Sequence, residues 1–129
     1  MGGYAVGMRG CYEVLVESRH CGPGNGYPDF PFLSDPWFTL FCEIACDEAM
    51  KPGYGPGEAS VGVHLDLERL APVAAGRRVR LEARVVAVDG RRLRFEVAGE
   101  AAGRAFVRGT HDRVAVDLGR FLARLPSAG

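Results

Sequence analysis

The feature that most restricts this chain is a helix with almost no polar face. Ser34-Asp35-Pro36-Trp37 reads as a helix start: Asp35 can cap free backbone N–H groups, and Pro36 suits the first helical position, where its missing N–H is no loss. The run Phe38-Thr39-Leu40-Phe41-Cys42-Glu43-Ile44-Ala45-Cys46 is apolar nearly all round, as a helix enclosed by other structure would be. Lys51-Pro52-Gly53 stops it, so the helix is expected from about Pro36 to about Met50. Glu43 stands inside this run. A carboxylate among apolar groups is costly unless it is paired or used, which makes Glu43 the first candidate for function.

The remainder of the chain alternates with period two, the pattern of half-buried strands. Tyr12, Val14 and Val16 set against Glu13, Leu15 and Glu17 predict a strand from Tyr12 to Ser18. From Ser60, Val61, Val63, Leu65 and Leu67 are expected on one face and Gly62, His64, Asp66 and Glu68 on the other. That parity puts Arg69 on the apolar face, where a charge needs a partner. Val79, Leu81, Ala83 and Val85 alternate with arginines and Glu82, Asp89-Gly90 marks a hairpin, and Leu93, Phe95 and Val97 repeat the pattern. A last strand is expected from about Arg104 to Val116 with a bulge at Gly109, and Leu118, Phe121, Leu122 and Leu125 predict a short helix packed on one face.

Strand, long helix, then four strands is an α+β order, best satisfied by a curved antiparallel sheet wrapped around the helix. A chain of 129 residues forms one such domain, spanning positions 1–129. The loop Cys21-Gly22-Pro23-Gly24-Asn25-Gly26-Tyr27-Pro28 runs into Phe30, Pro31, Phe32 and Leu33, either a lid over an apolar cavity or an ordered plug of the core.

Zero formal net charge with 25% charged residues argues against a general nucleic-acid binder and a disordered chain. Met1 to Gly10 lacks the apolar run of a signal peptide, and no stretch approaches the roughly 20 apolar residues of a membrane span. A soluble cytoplasmic protein with no membrane partner is expected. Cys42 and Cys46 lie one helical turn apart but have no second ligand pair at metal-binding spacing. They are read as small buried thiols, with no metal site and no catalytic cysteine.

Three separated motifs carry a family resemblance: Gly62-Val63-His64-Leu65-Asp66-Leu67-Glu68-Arg69-Leu70-Ala71-Pro72 through Gly76, Val88-Asp89-Gly90-Arg91-Arg92-Leu93, and Gly109-Thr110-His111-Asp112-Arg113. In this order and spacing they resemble hotdog-fold thioesterases of the fluoroacetyl-CoA thioesterase-like group, from about Phe32 to about Phe121. The resemblance implies a hotdog fold, hydrolysis of an acyl thioester, and a homodimer or higher homo-oligomer with its sites at the subunit boundary. It implies a site made of a threonine before the helix, a glutamate within it and a histidine on the next strand, with a glycine and an arginine at the substrate. Here the glutamate is Glu43, the glycine Gly62 and the arginine Arg113, while the threonine position holds Asp35 and the histidine position Arg69.

Arginine stays protonated and cannot relay a proton as histidine does. The expected catalytic set is therefore Glu43 and/or Asp35 as nucleophile or general base, with Arg69 opposite Glu43 as its ion partner. Phe30, Phe32 and Trp37 are expected to roof the acyl cavity, with Gly62 and Arg113 at the substrate and backbone N–H groups near the helix start polarising its carbonyl. No cofactor is expected beyond the coenzyme A or carrier phosphopantetheine of the substrate itself. The alternative is a non-hydrolytic role (dehydratase, cyclase, or acyl or carboxylate binding), or a non-catalytic partner subunit in which a Glu43–Arg69 pair only specifies the fold. Arg77, Arg78, Arg80, Arg84, Arg91, Arg92 and Arg94 crowd one hairpin and are read as a solvated face balanced by Glu82 and Glu96. The competing reading is a contact for the coenzyme A nucleotide or an acidic acyl-carrier protein. Nucleic acid is not expected, because no aromatics interleave with these arginines.

Overall fold

The computed structural model describes residues 3–22 and 31–127. Strand β1 (Arg9–Leu15) precedes helix α1 (Asp35–Met50), and β2 (Glu58–Arg69), β3 (Arg78–Asp89), β4 (Arg92–Ala101) and β5 (Arg104–Asp117) follow, with a short α2 (Leu118–Ala123) after them. The strands form one antiparallel sheet in the order β1-β3-β4-β5-β2. This is the expected α+β hotdog arrangement, one long helix held against a curved sheet. Neither helix is long and apolar enough to cross a membrane.

The alternating residues do what their period requires. Val79, Leu81, Ala83 and Val85 of β3 and Leu93, Phe95 and Val97 of β4 are buried, together with Phe38, Phe41, Cys42, Ala45, Cys46, Ala49 and Met50 of α1. Burying each large side chain in this layer contributes about 1.5–3 kcal/mol. The hairpin turn Gly90-Arg91 uses glycine at φ +61°. Helix and sheet come close at Gly10, where an added Cβ would lie 2.2 Å from the backbone nitrogen of Ala49. Only a residue without a side chain lets α1 cross β1 there.

Several expectations change. The first strand runs Arg9–Leu15 rather than from Tyr12 to Ser18, because residues 9–11 pair with residues 82–84 and Ser18–His20 forms a 3-10 turn. Asp35 is the first residue of α1 and Pro36 the second; the carbonyl of Ser34 accepts from the Phe38 N–H at 2.9 Å. In β2 the parity resets: Gly62 pairs with Arg113 and His64 with Asp112, leaving Val63 as an extra residue. Ser60 and Gly62 thus share the inner face with Leu65, Leu67 and Arg69, while Val61 falls on the outer face. The bulge expected at Gly109 lies instead at Phe106, between the pairs Gly99–Val107 and Glu100–Ala105. Gly109 answers a different need, since a Cβ there would meet the Asp66 carbonyl of β2 at 2.1 Å. The apolar side of α2 is not packed: Leu118, Phe121, Leu122 and Leu125 are all exposed.

Helix α1 also differs from the fully enclosed helix its composition predicts. It packs mainly on β1 and β3 and barely on β2. Leu40 is 41% exposed, and Thr39, Glu43, Ile44 and Asp47 are only half-buried. One flank of the helix is therefore open, and it is the flank that carries Glu43.

Candidate active site

Two carboxylate–arginine pairs sit along α1. In the first, Glu43 Oε1 lies 3.6 Å from Nη1 of the buried Arg113, which β5 projects from the inner face of the sheet. Gly62 is the β2 neighbour of Arg113 in register. A Cβ at position 62 would stand 3.2 Å from Glu43 Oε1 and 2.9 Å from His111 Cε1, so glycine here lets backbone, carboxylate and imidazole converge. Arg113 is held closely: Nε donates to Ser60 Oγ at 2.7 Å, Nη2 to the Ser60 carbonyl at 3.1 Å, and Nη1 lies 3.0 Å from His111 Nε2. His111 Nδ1 is 2.8 Å from the His64 carbonyl. Beyond Ser60, the Tyr54 hydroxyl lies 2.6 Å from both Ser60 Oγ and Asp47 Oδ1.

The second pair joins Arg69 Nη2 to Asp35 Oδ1 at 2.9 Å, with the Leu33 carbonyl accepting from the same nitrogen at 3.1 Å. The guanidinium rests 4.5 Å over the Phe38 ring. Arg69 is thus partnered from the apolar face, as its parity requires, but its partner is Asp35 and not Glu43. Eight residues separate the two carboxylates, about 12 Å of helix axis. The backbone N–H groups at the helix start are equally remote, so within one chain they cannot share a substrate carbonyl with Glu43.

The expected roof is displaced as well. Trp37 packs on His20 and Phe41, with ring centroids 4.6 and 6.0 Å away, about 120° around the helix from Glu43. Phe32 is half-buried and bridges to Ala74, and Leu33 is fully buried, so the described end of the loop plugs the core. Phe30 lies outside the described residues. An open groove of about 670 Å³ occurs on the outer face of the sheet among Arg84, Glu96, Arg108 and Asp66, on the side of the sheet away from Glu43.

The thiols are not placed for chemistry. Cys42 and Cys46 are fully buried and unbridged, and burial raises both pKa values, that of Cys42 to about 12. Among the described residues no three His, Cys, Asp or Glu side chains converge as a metal site would require. Burial, aided by the neighbouring Arg113 charge, lowers the pKa of His111. Burial and the bond to Asp47 raise that of Tyr54 to about 12.

Comparison with known proteins gives the family. Residues 18–118 match the family described as fluoroacetyl-CoA-specific thioesterase. The chain belongs to that thioesterase family. The fluoroacetyl-CoA thioesterase of Streptantibioticus cattleyicolor is 30% identical over 131 positions, covering 95% of this chain and 93% of the relative. A solved fluoroacetyl-CoA thioesterase superposes with a TM-score of 0.84 at 26% identity, over 96% of this chain and 99% of the other. A Thermus thermophilus protein described as a thioesterase superfamily member shares the fold, with a TM-score of 0.87 at 22% identity over 95% of this chain and 91% of that one.

Membership in this thioesterase family makes the chain a hydrolase of acyl thioesters by class. The two positions that depart from the expected threonine and histidine are bonded to each other, Asp35 to Arg69. Sequence reasoning missed the grip on Arg113 by Ser60, Tyr54 and Asp47. The only local signal for it is that Ser60 and Gly62 share the parity of the inner face once the Val63 bulge is known.

Proposed function

We propose that this chain hydrolyses an acyl thioester with Glu43 as general base or nucleophile and Arg113 as the charge that meets the developing oxyanion. The observation that carries this reading is the convergence of the Glu43 carboxylate, the Gly62 backbone and the Arg113 guanidinium on the open flank of α1. General-base or nucleophilic attack needs an oxygen within reach of an approaching group, and Glu43 is half-buried rather than sealed. Asp35 is 65% exposed and bound to Arg69, which suits it to holding charge at the rim of the site better than to attack. The substrate brings coenzyme A or a carrier phosphopantetheine, and the chemistry uses no other cofactor.

The working unit in this reading is a homodimer. Strand β2 is a free sheet edge, and Val63 and Leu65 on it are 47% and 38% exposed beside the open flank of α1. A second copy added there would cover Glu43 and complete a site whose two ion pairs lie too far apart to act on one carbonyl within a chain. A panel of acyl-CoA and acyl-carrier thioesters tests the assignment. Glu43→Gln is expected to lower kcat by about 100-fold or more and Asp35→Asn by less than about tenfold. Hydrolysis that survives both changes removes the proposed chemistry.

One observation favours a second reading. The Asp35–Arg69 pair leaves no proton relay at those positions, as a dehydratase, cyclase or acyl-binding role would tolerate. Ligand binding without turnover across the whole panel would select it.

A further inference from the structure

We propose that His111 is a positioning residue whose neutral ring, carrying its proton on Nδ1, locks the Arg113 guanidinium in the orientation that faces Glu43. The inference rests on the role proposed above for Glu43. Its support is a hydrogen-bond count that allows only one arrangement of protons. The His64 carbonyl can only accept, so Nδ1, 2.8 Å away, must donate. The Arg113 guanidinium can only donate, so Nε2, 3.0 Å from Nη1, must present its lone pair. No other tautomer satisfies both partners. The ring is 2% exposed, so neither bond can be exchanged for water without opening the sheet.

The far side of Arg113 is fixed by the same logic. The Asp47 carboxylate accepts, so Tyr54 donates to it and must itself accept from Ser60, which in turn accepts from Arg113 Nε. The bonds run one way, Arg113 to Ser60 to Tyr54 to Asp47, and each donor in such a series strengthens the next. Arg113 is gripped on one edge by Ser60 and on another by His111, with Nη1 turned toward Glu43. A second proton on His111 would set an N–H against an arginine N–H and undo the lock. The charged groups facing the ring are Arg113 from its own strand and Glu43 from α1; Asp112 lies across the sheet, β2 offers the His64 carbonyl and Leu65, and β4 the uncharged Phe95. Burial first, and then Arg113, favours the uncharged ring, which keeps the lock intact through neutral pH.

NMR on the ¹⁵N-labelled chain and acyl-CoA kinetics test this together. At neutral pH His111 is expected as the Nδ1–H tautomer, and the Arg113 Nε–H signal is expected to be protected from solvent exchange. As pH falls that signal should vanish in the same step in which the His111 ring titrates. In His111→Gln, which keeps an acceptor but cannot charge, it should persist through that step. With acetyl-CoA and longer straight-chain acyl-CoAs as probes, His111→Phe should lower kcat about 10- to 100-fold with KM changed less than about threefold, and His111→Gln should recover most of the loss. An Nε2–H tautomer, or an Arg113 signal indifferent to His111 titration, overturns the lock. Unchanged kcat in His111→Phe overturns its positioning role. A wild type that hydrolyses no member of the full acyl-CoA and acyl-carrier panel overturns the proposed function instead, and the NMR pair then decides the lock by itself. Should His111→Phe not fold, the wild type and His111→Gln carry the test.

Discussion

Replacing Asp112 by asparagine probes how β5 is held beneath the site. Asp112 lies between His111 and Arg113 but faces the outer side of the sheet, with its carboxylate 2% exposed. It accepts from Arg94 Nε at 2.9 Å and Nη2 at 3.2 Å, and from Arg92 Nη2 at 2.8 Å and Nε at 3.1 Å. The Arg94 hydrogen bond, aided by Arg92 and opposed by burial, holds the Asp112 pKa at about 2 against an ordinary 3.8. A difference of about 1.8 at about 1.4 kcal/mol per pKa unit corresponds to about 2.5 kcal/mol. Both arginine side chains are 51% exposed, so solvent screening reduces the expected contribution to about 1–2 kcal/mol. Because the folded pKa is depressed, the stabilisation is complete above the unfolded value of 3.8 and is lost as pH falls toward about 2. Urea unfolding of the wild type and Asp112→Asn, followed from neutral pH down to about pH 2, should show a gap of that size that closes in this window. A gap below about 0.5 kcal/mol at neutral pH, or one that stays constant with pH, would show that the two arginines do not hold Asp112 in this way.

Gly10→Ala forces a methyl group against the Ala49 and Glu48 backbone at 2.2–2.7 Å, so α1 must lift from β1; a loss above about 3 kcal/mol in chemical denaturation is expected, and a near-neutral result would contradict the packing. Asp35→Thr combined with Arg69→His replaces the ion pair by a hydroxyl and an imidazole and should raise acyl-CoA hydrolysis above wild type, whereas each single change only strands the other partner. A double variant slower than both singles would show that the pair itself serves the reaction. With an aromatic disulfide reagent at about pH 8, one thiol per folded chain should react rapidly, the exposed Cys11. Fast labelling of Cys21, Cys42 or Cys46 would mean that the core opens there.

The hairpin arginines show where sequence reading stops. Arg84 does pair with Glu96 and Arg80 with Glu82 on a solvated face, as charge balance suggested. Arg92 and Arg94 instead clamp Asp112, a residue that meets them only through the β4–β5 register. Composition reveals a surplus of guanidinium groups, but not which carboxylate the neighbouring strand will carry past them.

The architecture follows from local sequence. The period-two runs of β3 and β4, the Asp89-Gly90 turn and the greasy stretch after Pro36 are set by the local chain, whose side chains must alternate on a strand and encircle a helix. Local sequence also singled out Glu43 as a carboxylate in an apolar run, whereas Gly62 and Arg113 were joined to it only by the resemblance to hotdog thioesterases. Which charged groups become partners depends on how the strands are ordered in the sheet. Glu43 meets Arg113 and Arg69 meets Asp35 because β5 lies between β4 and β2, an adjacency unrelated to distance along the chain. The unpaired Val63 likewise arises between strands: a bulge is two residues opposite one, and no single strand contains the information that its neighbour is one residue short.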